Sequence, residues 1–126
     1  MRDLIFRGKG VRDGSWVISD SIIQHVNGKV YLYDEVKDIE VEVNSETVGQ
    51  FTGLTDKHGV NIFEGDIVDV KYDIKYTGVA AERIGLLEVV FDDGCFMKRS
   101  KHGLFHFIPS DVCRVVGNIH DDKDLI

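Results

Sequence analysis

The sequence predicts an all-β protein, and three observations carry that prediction. Residues 68–76 alternate strictly between apolar and charged side chains, which is the pattern of a half-buried strand. An Asn-Gly pair at residues 27–28 separates two apolar runs, and this is a strong short-range signal for a β-hairpin. The chain also has 13 glycines but only one proline, which favours compact turns.

The first half of the chain contains two hairpin signals and one further strand. Residues 27–28 separate the strand-like runs 21–26 and 29–33, and Asn-Gly favours a type I′ turn because both central residues then take a positive φ. Asp-Gly at residues 13–14 marks a second turn of this kind. Residues 38–43 alternate between acidic and apolar side chains, so we expect a strand there with one face toward a core.

The second half of the chain also contains predicted strands separated by predicted turns. Residues 84–91 are more continuously apolar, which predicts a strand covered on both faces, with a bulge at Leu86-Leu87. Asp93-Gly94 and His102-Gly103 predict turns, and residues 104–108 predict another strand.

Two segments depart from the strand pattern. Small residues at 77–81 interrupt it and predict a mobile insertion, whereas residues 118–125 are the one segment expected to form a short helical turn.

Together the elements predict a small β-barrel or two packed β subdomains, with Gly-rich hairpins and a short C-terminal helical turn. At 126 residues we expect a single domain spanning residues 1–126. The apolar fraction of 43% and the charged fraction of 29% are ordinary for a soluble globular protein.

Location is predicted from what the sequence lacks. No secretory signal is recognisable at the N-terminus, and no apolar run approaches the roughly 18 residues of a membrane span, so we expect a cytoplasmic location. The two cysteines have no C-x-x-C spacing, as expected for buried thiols in a reducing compartment.

The net charge of −7 is unevenly spread, since most of the 22 acidic side chains lie between residues 30 and 93. Binding to nucleic acid needs clustered lysine and arginine, so this acidic middle argues against such a partner. Residues 98–102 form the one basic cluster, which contains Lys98, Arg99 and Lys101. With neighbouring phenylalanines they could form a stacking platform for nucleic acid, although core rings and solvated charges are the plainer interpretation.

Two tight turns occupy the centre of the sequence. Asp56-Lys57-His58-Gly59 predicts a type I turn with glycine in the left-handed region. Glu64-Gly65-Asp66 predicts a second turn, in which the Asp66 carboxylate accepts backbone N–H groups. The alternative interpretation is a polar binding surface formed by side chains around the two turns. Its members would be Gln50, Thr52, Asp56, Glu64 and Asp66.

Metal binding and catalysis receive little support. Cys95, His102, His106 and Cys113 are suitable ligand types, but structural zinc sites usually draw two donors from one close pair, and Gly103 opposes the helix that would bring the two histidines together. No phosphate loop, nucleophile elbow or metalloprotease motif is present. We therefore expect no metal, no cofactor and no enzymatic activity.

Five stretches, which follow one another in order along most of the chain, resemble the YopX family of bacteriophage and prophage proteins. They are residues 5–9 (IFRGK), 13–17 (DGSWV), 47–68 (TVGQFTGLTDKHGVNIFEGDIV), 89–96 (VVFDDGCF) and 116–119 (VGNI). Phe51 and Phe63 stand where similar sequences often have tyrosine, and we expect both rings to pack as hydrophobic side chains.

The resemblance implies a phage or prophage setting, so that the expected location is the host bacterial cytoplasm, and it implies no particular chemistry. The leading hypothesis is a non-enzymatic accessory protein that binds or assembles proteins, either as a homo-oligomer or with a phage or host protein. The alternative is a small β module that binds nucleic acid.

Overall fold

The computed structural model describes residues 4–72, 82–92, 94–99, 105–106 and 110–126, and for residues 72, 82–84 and 105–106 it describes the backbone only. The described chain is built from β-strands and short 3₁₀ turns, so the all-β prediction is confirmed. These strands form open sheets and no closed barrel. The chain divides into two compact units, Met1–Gly53 and Leu54–Ile126. The predicted single domain over residues 1–126 stays a prediction.

The first unit contains five complete strands and the start of a sixth. They are β1 (Phe6–Lys9), β2 (Trp16–Ser19), β3 (Ile22–Gln24), β4 (Val30–Asp34), β5 (Ile39–Val43) and β6 (Gly49–Thr55), with a 3₁₀ turn at Ser45–Thr47 before β6. Strand β1 pairs antiparallel with β2 on one side and with β6 on the other. Strands β3, β4 and β5 form an antiparallel sheet in chain order, which places β5 at an edge.

The core of the first unit is small and aliphatic. Its buried members are Val17, Val30, Leu32 and Val43, with Phe6, Val41 and Val48 packed against them. Gly8 lets β1 approach β5 closely, because a Cβ on Gly8 would lie 3.1 Å from the Val43 side chain. Glycine at this position therefore serves packing rather than a turn.

The second unit begins with the last residues of β6, which form a hairpin with the next strand. Its strands are β7 (Asn61–Phe63), β8 (Asp66–Tyr72), β9 (Glu82–Asp92), β10 (Cys95–Arg99), β11 (Phe105–His106) and β12 (Cys113–Asn118), with 3₁₀ turns at Ser110–Val112 and Lys123–Leu125. Five of them form one antiparallel sheet in the order β11-β10-β9-β8-β12. Strands β9 and β10 are antiparallel, and Asp92 at the end of β9 pairs with Cys95 at the start of β10, on either side of the predicted turn.

The core of the second unit confirms the alternation read from the sequence. Val68 and Val70 on β8 have no exposed surface, whereas Lys71 is exposed. They pack with six other aliphatic or thiol side chains: Ile62, Leu87, Val89, Val112, Cys113 and Val115. Phe51 and Phe63, each in its own unit, are buried, so both rings pack as hydrophobic side chains as predicted.

The turn at Asn27-Gly28 differs from the predicted type I′. Gly28 has a φ of 87°, but Asn27 is not among the residues with positive φ. The N–H of Gly28 donates to the C=O of His25 (2.9 Å), and the Lys29 N–H donates to the Asn27 side chain (3.0 Å). The loop is therefore a type I turn followed by a left-handed glycine. The hydrogen bond from the Lys29 N–H to the Asn27 side chain stabilises this form.

The bulge in β9 lies two residues before its predicted position. Val70 pairs with Gly85 and Lys71 pairs with Arg83, so Ile84 is the extra residue rather than Leu86 or Leu87. Gly85 has a φ of 109°, a conformation open to glycine at little cost, which explains why the bulge forms there.

The C-terminal helical turn is confirmed as the 3₁₀ turn Lys123–Leu125, but two further 3₁₀ turns were not predicted. Several predicted features lie outside the described residues. These are the strand end at 73–76, the insertion at 77–81, Asp93, the turn at 102–103 and most of the strand at 104–108. No helix in the described parts of the chain is long and apolar enough to cross a membrane.

Candidate functional site

The first central turn forms as predicted. The N–H of Gly59 donates to the C=O of Asp56 (3.0 Å), and the Asp56 N–H donates to the C=O of Val60 (2.8 Å). Gly59 has a φ of 81°, in the left-handed region that the type I turn requires after its central residues. The turn therefore links β6 to β7 as a tight hairpin.

The Asp56 carboxylate connects this turn to a distant strand. Its Oδ1 accepts the backbone N–H groups of His58 (2.8 Å) and Val60 (3.0 Å), and its Oδ2 accepts the N–H of Val115 on β12 (2.9 Å). The side chain is only 5% exposed. Burial alone would raise the pKa of Asp56, but the three hydrogen bonds and the nearby His58 outweigh it and lower the pKa below its usual 3.8. Asp56 thus acts as an ionised structural link.

The second central turn also forms as predicted. Gly65 has a φ of 93°, and the Asp66 Oδ2 accepts the N–H of Phe63 (2.7 Å) across the turn. The Gly65 N–H donates to the C=O of Val89 (2.8 Å), and its C=O accepts the N–H of Ile119 (2.9 Å). Gly65 therefore joins three parts of the second unit through its backbone.

The five residues proposed as a polar surface fall in different environments. Gln50 and Thr52 are half-buried on β6 in the first unit, whereas Asp56, Glu64 and Asp66 belong to the two turns of the second unit. The Asp56 and Asp66 carboxylates are buried and hold backbone groups, and Glu64 is half-buried. Binding by this set stays a prediction.

A cleft of about 760 Å³ opens in the first unit, and the sequence did not predict it. We call it the β5 cleft. It is lined by Gly10, Val11, Arg12, Asp13, Ser15, Trp16, Val17, Tyr31, Asp34, Lys37, Ile39, Glu40, Val41 and Glu42. A pocket of a few hundred cubic ångströms is large enough for several side chains of a bound ligand.

The β5 cleft exists because the chain leaves the edge of β5 partway along it. Gly10 bridges Val43, and the N–H of Val11 donates to the C=O of Glu42 (2.9 Å). The chain then turns back through Asp13, whose Oδ1 accepts the N–H (3.0 Å) and the hydroxyl (2.7 Å) of Ser15. The remaining length of β5 consequently faces the cleft.

The turn between β4 and β5 closes one end of this region. The Asp34 Oδ1 accepts the N–H groups of Val36 (3.0 Å) and Lys37 (3.2 Å), and the Tyr33 hydroxyl donates to the Asp38 carboxylate. That hydrogen bond raises the pKa of Tyr33, and burial and Glu35 add to the effect. Asp38 has a φ of 57°, which a short polar side chain tolerates.

The lining of the β5 cleft is acidic and aromatic. Four carboxylates face two cations, Arg12 and Lys37. Asp13 is held by Ser15, and hydrogen bonds from Ser15, with a smaller contribution from Lys37, lower its pKa.

Two aromatic rings contribute the apolar part of the wall. The Trp16 ring lies beneath the Arg7 guanidinium, whose carbon is 4.7 Å from the ring centroid, and Tyr31 meets the His25 ring edge-on at 4.7 Å. These contacts hold both rings in place within the first unit.

The comparisons with known proteins decide the family. The model of the family described as YopX protein matches residues 6–126. The chain belongs to the YopX family. This confirms the resemblance seen in the sequence.

The crystal structure of the protein yopX from Bacillus subtilis is similar to this YopX chain, with a TM-score of 0.61 and 21% identity. The similarity covers 100% of this chain and 99% of that chain. At this identity the likeness establishes the shared fold. A search of curated proteins found no match. Family and fold are therefore known, and they assign no biochemical activity.

The predicted basic cluster is only partly exposed in this YopX chain. Lys98 is buried at 8% exposure, and the Arg99 guanidinium forms an ion pair with Glu88 (2.8 Å). Lys101 lies outside the described residues. Of the two described cations, one is thus enclosed and the other is partly neutralised.

Both cysteines are free thiols, and neither is fully exposed. Cys113 is fully buried, and burial raises the pKa of its thiol. Cys95 is half-buried, and its Sγ donates to the C=O of Asp92 (3.4 Å). His102 and the side chain of His106 lie outside the described parts of the chain, so the expected absence of a metal stays a prediction.

Proposed function

We propose that this YopX chain is a non-enzymatic protein-binding module and that the β5 cleft holds the bound polypeptide. The observation that carries the proposal is the edge of β5, which is paired at Val43 and then faces an aromatic and acidic cleft. Protein interfaces commonly combine aromatic anchors with a polar rim, and the lining of this cleft has that character.

The family resemblance supports a phage or prophage setting for this function. The protein would then be an accessory factor in the bacterial cytoplasm that acts on a phage or host protein. Self-association belongs to the same proposal, and it is supported by exposed apolar side chains on β2 and β3, namely Ile18, Ile22 and Ile23.

Affinity capture from the bacterial host tests this proposal. A tagged copy is expected to retain a specific polypeptide, and the double variant Glu40→Lys with Glu42→Lys should lose it by at least about tenfold, because both changes reverse charge in the cleft. Glu46→Lys is the matched control, since Glu46 is exposed and lies outside the cleft. An untagged second copy, expressed alongside, reports self-association in the same eluate.

If the wild type and the double variant retain the same amount of the polypeptide, the β5 cleft is not its binding site. The absence of any polypeptide enriched above an untagged control would contradict the binding function itself.

The nucleic-acid alternative has less support than the sequence suggested. It rested on Lys98, Arg99 and Lys101, and the first is buried while the second is paired with Glu88. Because phosphate binding needs accessible cations, protein binding is the better proposal.

A further inference from the structure

We infer that β5 takes up an extended cationic polypeptide segment as an added antiparallel strand within the β5 cleft. This inference rests on the proposed function and specifies the chemistry of the partner.

The hydrogen-bonding direction of β5 supplies the first step. The C=O of Glu42 accepts the N–H of Val11, so the backbone groups of Glu42 point away from β4. Along a strand the N–H and C=O of successive residues point to alternate sides, so Glu40 has the same outward direction as Glu42. No hydrogen bond from another described residue reaches the backbone of Glu40. Its N–H and C=O therefore form an open pairing site in the cleft.

The expected direction of the added strand is antiparallel to β5. Gly10 bridges Val43 in this sense, and the chain departs after Val11. A segment that occupies the rest of the edge favours the same antiparallel sense, because antiparallel pairs are slightly more stable per residue than parallel ones. Its residue opposite Glu40 then exchanges hydrogen bonds with Glu40 and projects its side chain to the same face as the Glu40 carboxylate.

The side chains of β5 define the charge of the partner. Glu40 and Glu42 are two residues apart on one face, so their Cα atoms are separated by roughly 7 Å. Neither carboxylate forms an ion pair with any described cation. Val11 already stands opposite Glu42, so an added strand places one cation directly opposite Glu40, and a long cationic side chain there also reaches the diagonal Glu42 carboxylate.

The aromatic residues add affinity for the same kind of segment. Tyr31 is the cross-strand partner of Glu42, and Trp16, one face of which the Arg7 guanidinium already covers, lines the cleft as well. Arginine side chains favour the neighbourhood of both aromatic rings and carboxylates, whereas an anionic ligand would meet four carboxylates here. The half-exposed Ile39, at 50%, offers an apolar contact to the alternate residues of the segment.

Synthetic peptides test the inference directly by fluorescence anisotropy. The probe is a labelled peptide of about ten residues that alternates arginine and valine, long enough to span a strand of ordinary length. We expect it to bind the intact chain and to bind at least about fivefold more weakly to the double variant Glu40→Gln with Glu42→Gln. Glu46→Gln, the matched control, should leave binding unchanged.

Backbone methylation separates strand addition from simple charge attraction. Methylating the backbone nitrogens of the arginines should weaken binding at least about tenfold, because these N–H groups face β5, whereas methylating those of the valines should leave binding within about twofold. A peptide that alternates glutamate and valine should not bind.

Equal affinity of the two methylated peptides would overturn the added strand, and equal binding of the acidic peptide would overturn the cationic partner. If the arginine peptide fails to bind while affinity capture still returns a polypeptide that the Glu40→Lys, Glu42→Lys variant loses, the inference is wrong and the proposed function stands. Failure of both experiments would reject both.

Discussion

Replacing Asp56 by alanine should lower the free energy of unfolding by about 3 kcal/mol, since three backbone N–H groups lose a charged acceptor. Two of these donors belong to the turn itself, and the third belongs to Val115 on β12. The variant therefore loses two hydrogen bonds within the turn and one long-range hydrogen bond to β12. Urea denaturation of the wild type and the variant measures the difference.

The pH dependence of this difference in unfolding free energy, between the wild type and the Asp56→Ala variant, identifies its cause. The pKa of Asp56 is lower in the folded chain than its ordinary value of 3.8, so ionised Asp56 stabilises the fold above that value. This contribution should disappear as the pH falls through the folded pKa, and the gap between wild type and variant should shrink below about pH 4. Asp56→Asn is the matched variant, because it keeps one acceptor oxygen and removes the titration. A gap that is small at pH 7, or unchanged at pH 3, would contradict the role assigned to Asp56.

Replacing Gly65 by valine should destabilise the second unit by about 2 kcal/mol, because a β-branched residue is strained at positive φ. Gly65 has a φ of 93°, and hydrogen bonds from its backbone to Val89 and Ile119 prevent the turn from relaxing to another conformation. The Cβ atom itself meets no obstacle, since it would lie 3.5 Å from the His120 ring, an ordinary contact. Thermal denaturation followed by circular dichroism measures the effect.

Gly65→Asn is the control for backbone strain, since asparagine tolerates left-handed conformations better than valine does. We expect the asparagine variant to be more stable than the valine variant. If the two variants unfold together, the loss arises from side-chain packing near His120, and the argument from φ is wrong.

The sequence predicted those elements that local rules determine. The alternation over 68–71 and the Asp-x-x-Gly turn at residues 56–59 both depend on neighbours within a few residues, and the structure has both. The Asp66 carboxylate was likewise assigned to a nearby N–H. The contact from Asp56 to Val115 could not be predicted, because 59 residues separate the two positions.

Two predicted details were wrong, the type of one turn and the position of one bulge. At both places the local sequence allows more than one backbone conformation. Asn-Gly suits a type I′ turn, but the Asn27 side chain accepts the Lys29 N–H and stabilises a different turn. Leu86-Leu87 interrupts the expected pattern, yet Gly85 is the residue that can adopt the unusual φ of a bulge. In both cases the sequence located the feature to within two residues and missed its geometry.

The β5 cleft was missed for a different reason. Glu40 and Glu42 alternate with apolar residues, and this pattern predicts only a strand with its apolar face toward a core. The same alternation placed Ile39 toward a core, although its side chain is 50% exposed. Whether an edge is paired or open depends on where Gly10 and Val11 leave β5, which is a tertiary property.

Photocrosslinking from within the β5 cleft shows whether this cleft contacts a polypeptide in the cell. A benzophenone amino acid at position 39 is expected to form a defined crosslinked product with a partner polypeptide in the phage-carrying host, because Ile39 is half-exposed and lines the cleft. The same amino acid at position 26 is the control, since Val26 is fully exposed in the first unit but lies outside the cleft. A defined product from position 39 and none from position 26 is the expected result. The absence of a product at position 39, or the same product from both positions, would contradict that contact.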